Sequence, residues 1–252
     1  MNSIKNISIV GSGNVAFHLG NALKNSGINI DYICSRNEIE SISLAKKLNA
    51  KETLDLQQLS KSDMVLLCVP DDIVYEFINK IPNTSCAYTS GSIELTKVES
   101  KNIGVFYPLQ TFRKKDKIEI EKVPIFVEAT NEVFQNQLIE LAKKISNNVS
   151  IVNSEERKKY HLSAVFLNNF TNHLLYLSQK EADKNGLKWD NLLPLLEETF
   201  KKNLTSNPFD NQTGPARRND LITIEKHLSM LEGKSKEIYQ IITESIKSTY
   251  HD

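Results

Sequence analysis

Residues 4–22 read IKNISIVGSGNVAFHLGNA, and this stretch decides the fold. The apolar run Ile7, Ile9, Val10 stops at Gly11-Ser12-Gly13-Asn14-Val15-Ala16, and a helix-period pattern (Val15, Leu19, Ala22, Leu23) follows. Strand, glycine turn and helix with GxGxxA spacing form a dinucleotide-binding turn. Gly11 turns the chain sharply out of the strand, and Gly13 lets a pyrophosphate approach the backbone. Ala16 is small enough for the helix to pack on the strand. Ser12, Asn14 and Val15 complete the turn, where first-turn N–H groups and the positive helix end face the phosphates. The plain alternative is a tight strand-to-helix turn without a ligand.

Composition narrows the classes. The chain has 252 residues, 40% hydrophobic and 25% charged, which allows one large domain or two modest ones. Lys plus Arg and Asp plus Glu both number 31, so no net field draws the chain to nucleic acid or to a membrane surface. Its three cysteines (Cys34, Cys68, Cys86) form no CxxC, which fits a reducing cytoplasm better than a disulfide framework. The expectation is a cytoplasmic protein without a signal peptide, since the sequence runs from Met1 directly into a strand. The most apolar run, Met64 to Val69, is far short of a membrane span. The five histidines show no HxxxH or HExxH spacing and no GxSxG elbow occurs, so no metal site or serine nucleophile is expected.

Beyond the opening turn the pattern alternates. Strands are expected at 28–34, 50–53, 64–69, 85–88, 103–107, 124–129 and 149–152, with helices at 38–48, 71–81 and 131–145. This α/β alternation predicts a doubly wound, Rossmann-type parallel sheet over residues 1–153. From Ser154 only helical patterns follow: one to Asn185, then 189–203, 221–231 and 235–250. Residues 154–252 therefore read as an all-α domain. The Lys-rich pieces Arg113–Lys117 and Arg157–Lys159 read as solvated faces.

The second strand ends Cys34-Ser35-Arg36-Asn37, about 20 residues past the glycine turn. No carboxylate stands at its tip to bind a ribose. Ser35 can donate to a 2′-phosphate and Arg36 can grip it bidentately, so NADP(H) is the expected cofactor. Val69 and Pro70 leave the strand at 64–69 on the edge where open α/β sheets bind ligands. Tyr88-Thr89-Ser90-Gly91-Ser92 and Tyr107-Pro108-Leu109-Gln110-Thr111 follow two further strands on the same edge. Ser90 is expected beside the cofactor. Hydride transfer to a carbonyl or imine needs a proton or hydrogen-bond donor at the heteroatom, and Tyr107 is a candidate. At helical spacing His161, Ala164, Val165 and Asn168 share a face, which Asn172 extends. That stripe reads as lining an interdomain cleft or as satisfied interhelix hydrogen bonds. Arg217 and Arg218, in a Gly-Pro turn, are candidates to hold a substrate anion; the alternative is an internal Arg–Asp pair.

The ordered string GSGNVAFHLGNAL, CSR, CVPDD, TSGS, YPLQTF, HLSAVFLNNF and QTGPARRND resembles a bacterial family that joins a Rossmann-like domain to a C-terminal domain of unknown function. Its members are proposed NADP oxidoreductases. In layout it is similar to pyrroline-5-carboxylate reductase, to 6-phosphogluconate and β-hydroxyacid dehydrogenases, and to deazaflavin-dependent NADP reductase. The resemblance implies NADP(H) binding, hydride transfer and a homodimer. The family usually has His at the positions of Tyr88 and Tyr107. The β-hydroxyacid dehydrogenases carry Lys-x-x-x-Asn on the first helix of the second domain, and if Asn168 matches that Asn, Ala164 stands at the Lys. His161, one turn earlier, is then the titratable group left to donate a proton. The expectation is an NADP(H)-dependent oxidoreductase acting on a small, anionic carbonyl or imine compound, with His161, Asn168 and Tyr107 catalytic. The alternatives are a non-catalytic NADP(H)-binding sensor on the same fold, or an interaction protein without nucleotide.

Overall fold

A computed structural model describes residues 3–96 and 101–251. The chain begins with β1 (Asn6–Val10), α1 (Asn14–Asn25), β2 (Asn29–Cys34), α2 (Glu38–Leu48), β3 (Lys51–Glu52), α3 (Leu56–Leu59) and β4 (Met64–Leu67). Then come α4 (Val74–Lys80), β5 (Ser85–Tyr88), β6 (Ile103–Pro108), β7 (Ile125–Ala129), α5 (Glu132–Lys143) and β8 (Val149–Ile151). The remainder is helical: α6 (Ser154–Ala164), a π-helical segment (Val165–Phe170), α7 (Thr171–Lys184), α8 (Leu193–Thr205), α9 (Pro208–Asn211), α10 (Leu221–Met230) and α11 (Gly233–His251).

The eight strands form one sheet in the order β3-β2-β1-β4-β5-β6-β7-β8. All four residues of β4 are buried, as expected of a parallel strand covered on both faces. Alternation along β4 separates two cores. Leu66 joins Ile7, Leu19 and Phe106 on one face, while Val65 and Leu67 join Ile78, Tyr88 and Val105 on the other. Side-chain caps set helix starts where the sequence supplies them. The Asn37 side chain accepts from Glu40 N at 3.2 Å before α2, and Asn131 accepts from Phe134 N at 2.9 Å before α5.

One expectation about the sheet is corrected. β7 runs antiparallel to β6, and β8 then runs parallel to β7. The link between β6 and β7 contains only a short 3-10 turn (Ile120–Lys122), so no crossover helix carries the chain to the far edge. β7 instead returns beside the strand it left.

The chain divides into two compact units, the first ending at Asn169 and the second starting at Phe170. Strands end before the expected boundary at residue 153, but α6 belongs to the first unit. It starts with a capping box in which Asn153 accepts from Glu156 N and the Glu156 side chain accepts from Asn153 N. Arg157, expected on a solvated face, is instead completely buried.

Candidate functional site

The opening turn folds as its glycines require. Gly11 sits at φ +111°, and a Cβ there would lie 2.2 Å from the Cys68 carbonyl oxygen. β1 and β4 can leave the sheet side by side only with glycine at that position. Gly13 is different: its backbone is extended, and nothing lies within 4 Å of where its Cβ would be. It precedes α1 without any side-chain cap, which leaves the first-turn N–H groups facing open space. A cavity of about 470 Å³ opens there.

Gly11, Ser12, Gly13, Ser35, Arg36, Val69 and Pro70 line this cavity together. The Ser12 and Ser35 hydroxyls are hydrogen-bonded at 2.8 Å, which ties the glycine turn to the tip of β2. Asn14, Val15 and Ser90 are not among the lining residues. The Asn14 side chain accepts from Lys114 N at 3.1 Å, and Val15 packs against the core. The Ser90 hydroxyl accepts from Ser92 N at 3.1 Å and Ile93 N at 3.2 Å, shaping the loop after β5. Sequence reasoning missed the far wall, where α4 and the turn before it contribute Ile73, Glu76, Phe77 and Lys80. Their i, i+3, i+4, i+7 spacing was the available signal.

The second focus lies on β6 and α6. Tyr107 Oη is 3.0 Å from His161 Nδ1, and the rings meet edge to face at 6.1 Å. Tyr107 is 9% exposed and His161 is half-buried. Burial raises the Tyr107 pKa, partly opposed by the Arg157 charge and assisted by Asp71. Gly91 makes the contact possible, since a Cβ there would lie 2.7 Å from His161 Nδ1 and 2.8 Å from Tyr107 Cζ. The next residue, Ser92, donates its hydroxyl proton to the Asp71 carboxylate. Asp71 follows Pro70, so a short covalent and hydrogen-bonded path joins the cavity wall to the Tyr107–His161 pair. Tyr88, the other position where the family usually has His, is fully buried and donates to the Glu94 carbonyl at 2.9 Å.

Arg157 anchors this helix one turn before His161. Its guanidinium donates to the Glu128 carboxylate on β7 and to the Ile93 carbonyl. Glu128 also accepts from Ser154 N at 3.0 Å and Ser154 Oγ at 2.8 Å, and Ser154 Oγ accepts from Leu95 N at 2.8 Å. The start of α6, β7 and the loop after β5 are thereby locked together.

The stripe drawn from His161 through Asn168 to Asn172 assumed an uninterrupted α-helix. Residues Val165–Phe170 are π-helical, and their wider turns shift Asn168 and Asn172 out of that phase. Both amides are exposed. Asn168 belongs to the first unit and Asn172 to the second. In that unit Arg217 lies over the Tyr250 ring at 4.3 Å, and the Arg218 charge helps hold the Asp220 carboxyl below its usual range, after the hydrogen bonds from Thr223.

Residues 6–87 match the family described as NADP oxidoreductase coenzyme F420-dependent, and residues 123–246 match the Domain of unknown function DUF2520. No curated protein matches the chain. Among solved structures, BF3122 from Bacteroides fragilis, a proposed NADP oxidoreductase, is 33% identical, with 97% of this chain and 98% of that chain covered and a TM-score of 0.90. Protein TM1727 from Thermotoga maritima is 22% identical over 98% of this chain and 100% of that one, with a TM-score of 0.79. A reductive aminase from Aspergillus terreus, solved with NADPH and ethyl levulinate, is 11% identical over 100% and 97%, with a TM-score of 0.71. The last two are likenesses of fold.

Proposed function

This chain belongs to the family of NADP oxidoreductases that carry a DUF2520 region, and from that premise we propose that it reduces or oxidises a small carbonyl or imine compound with the Tyr107–His161 pair handling the proton. NADP(H) is its cofactor, and it supplies or accepts the hydride at the nicotinamide. The residues present fit it: an open, uncapped turn at Gly13, a hydroxyl pair at Ser12 and Ser35, and Arg36 in the same cavity. No helix among the described residues is long and apolar enough to cross a membrane. The three free thiols accord with a reducing cytoplasm.

The observation that carries the reading is the 3.0 Å contact between Tyr107 Oη and His161 Nδ1. In the reductive direction His161 gives its Nε2 proton to the substrate heteroatom as an imidazolium whose Nδ1–H donates to Tyr107 Oη, which leaves a neutral imidazole; in the oxidative direction that free Nε2 takes the proton back. Asn168, exposed in the same unit as the pair, is the candidate amide for orienting the substrate. The test is a KM, kcat and NADPH-affinity comparison of the wild type with His161→Ala and Tyr107→Phe on a panel of oxo acids and imines. A fall in kcat with unchanged NADPH affinity supports the reading. Unchanged kcat in both variants removes the pair from the mechanism.

We further propose a homodimer formed through the helical unit. Among its described residues only Ala182, Ala216, Ile224 and Thr243 are buried. Large apolar side chains such as Leu195, Leu204, Ile222 and Ile241 stay exposed. A helical unit with so little core of its own gains most by covering those faces with a second copy. Sedimentation velocity at micromolar concentration should give about twice the 28.6 kDa chain mass. A monomer across that range would exclude the dimer.

A further inference from the structure

The cavity holds charges that the glycine turn and Arg36 do not explain. Lys80, in the last turn of α4, lines the same cavity as Arg36, and Glu76 lines it between them in sequence and in charge. Glu76 Oε1 is 2.6 Å from Lys80 Nζ. The Lys80 hydrogen bond and charge hold the Glu76 carboxyl below its ordinary range, and the Arg36 guanidinium adds to this. Glu76 is thus a carboxylate with a cation on one helix turn and a second cation at the tip of β2. An isolated i, i+4 pair on a solvent face would feel only its own partner.

We propose that Lys80 is a second cation for the 2′-phosphate of NADP(H), and that Glu76 is the counter-ion that occupies Lys80 until the phosphate arrives. This rests on the reading of the cavity as an NADP(H) site. Arg36 and Lys80 line one cavity and repel, and the Glu76 carboxylate, which feels both charges, lowers that cost. A phosphate dianion offers more charge and three acceptor oxygens, so it displaces the carboxylate from Lys80 while Arg36 grips it bidentately. NADH lacks that phosphate and leaves the Glu76–Lys80 pair intact. Discrimination between the two dinucleotides would then come from Arg36 and Lys80 together, with Glu76 moderating it by repelling the phosphate it gives way to.

The test is direct binding of NADPH and NADH, by fluorescence or calorimetry, to the full chain and to Lys80→Met, Lys80→Arg, Glu76→Gln and the Glu76→Gln/Lys80→Met double variant. Exposed pairs of this kind contribute little to folding, so the variants should fold. Lys80→Met is expected to weaken NADPH about tenfold and leave NADH unchanged, with Lys80→Arg recovering most of the loss. Glu76→Gln is expected to tighten NADPH and leave NADH unchanged. In the double variant the two effects should not add, because each residue acts through the other. Equal changes for both dinucleotides, or no change for NADPH, would overturn the proposal. A wild type that binds neither dinucleotide, or prefers NADH, would instead reject the NADP(H) reading beneath it.

Discussion

The Tyr107 hydroxyl meets His161 Nδ1 at 3.0 Å, and the contact exists because Gly91 has no side chain to fill the space beside both. Three separate pieces of sequence converge there: the end of β6, the loop after β5 and the second turn of α6. None of them is a motif for proton transfer alone.

Replacing Gly91 with Ala should therefore act as a lesion in the pair. The new methyl would stand 2.7 Å from His161 Nδ1, so one ring must move. The expected result is a loss of turnover on the order of 10²-fold, comparable with losing a positioned acid–base group, with NADPH affinity unchanged. Imidazole ¹⁵N chemical shifts would show the lost Tyr107 hydrogen bond. Wild-type shifts in the variant would contradict the assignment of Gly91.

Gly13 gives the cleanest separation of fold from ligand. Its extended backbone accepts a branched side chain, and no atom lies within 4 Å of the new Cβ. Gly13→Val should melt within about 0.5 kcal/mol of the wild type without ligand, as a substitution into open space does. It should also lose the stabilisation that NADPH gives the wild type, which is about 2.7 kcal/mol at ~100 times the dissociation constant. A valine variant that keeps the NADPH shift would remove the pyrophosphate from this turn.

The buried Arg157–Glu128 pair should be a stability determinant. Arg157→Met leaves the Glu128 carboxylate, 17% exposed, without its partner, which costs about 3–5 kcal/mol. Urea unfolding should show this loss. Glu128→Gln, which keeps the acceptor oxygen but strands the Arg157 charge, should also destabilise. Neutral behaviour of both variants would mean that the pair does not anchor α6.

Stability should fall on the alkaline side. Burial raises the thiol pKa of Cys68 and of Cys86 from 9.0 to about 12, and raises Tyr88 as well. A group whose folded pKa is raised contributes stability that is complete below its unfolded pKa. For the thiols that contribution declines from about pH 9 and is lost as pH rises through the folded value near 12. The melting temperature should drop between pH 8.5 and about 11, and Cys86→Ala should flatten the drop. A flat wild-type profile would contradict the burial of Cys86.

Much of this was legible in the sequence, for physical reasons. Gly11, Gly13 and the apolar run before them specify a turn by backbone sterics alone, and the continuous run at β4 specifies a strand covered on both faces. Ser35 and Arg36 could be placed because their distance from the turn is fixed by one helix and one strand. The antiparallel entry of β7 does not show in its own residues, because a buried strand carries the same apolar run in either direction; only the lack of a crossover helix between β6 and β7 marks it. The π-helical segment at Val165–Phe170 was hidden too, since its residues fit an α-helical pattern equally well. Arg157 looked solvated because its neighbours Lys158 and Lys159 are; its partner Glu128 lies 29 residues away on a strand. Glu76 and Lys80 have the i, i+4 spacing of an ordinary helix pair, and that spacing alone does not say that they line the same cavity as Arg36.

The most direct measurement of the central claim is transfer of deuterium from C4-deuterated NADPH to a carbonyl or imine panel, read by mass spectrometry of the products. A deuterated product is expected with at least one oxo acid or imine, and on the order of 10²–10⁴-fold slower formation of it by His161→Ala at saturating NADPH. Firm NADPH binding with no deuterium in any product, or equal transfer by the wild type and His161→Ala, would contradict it.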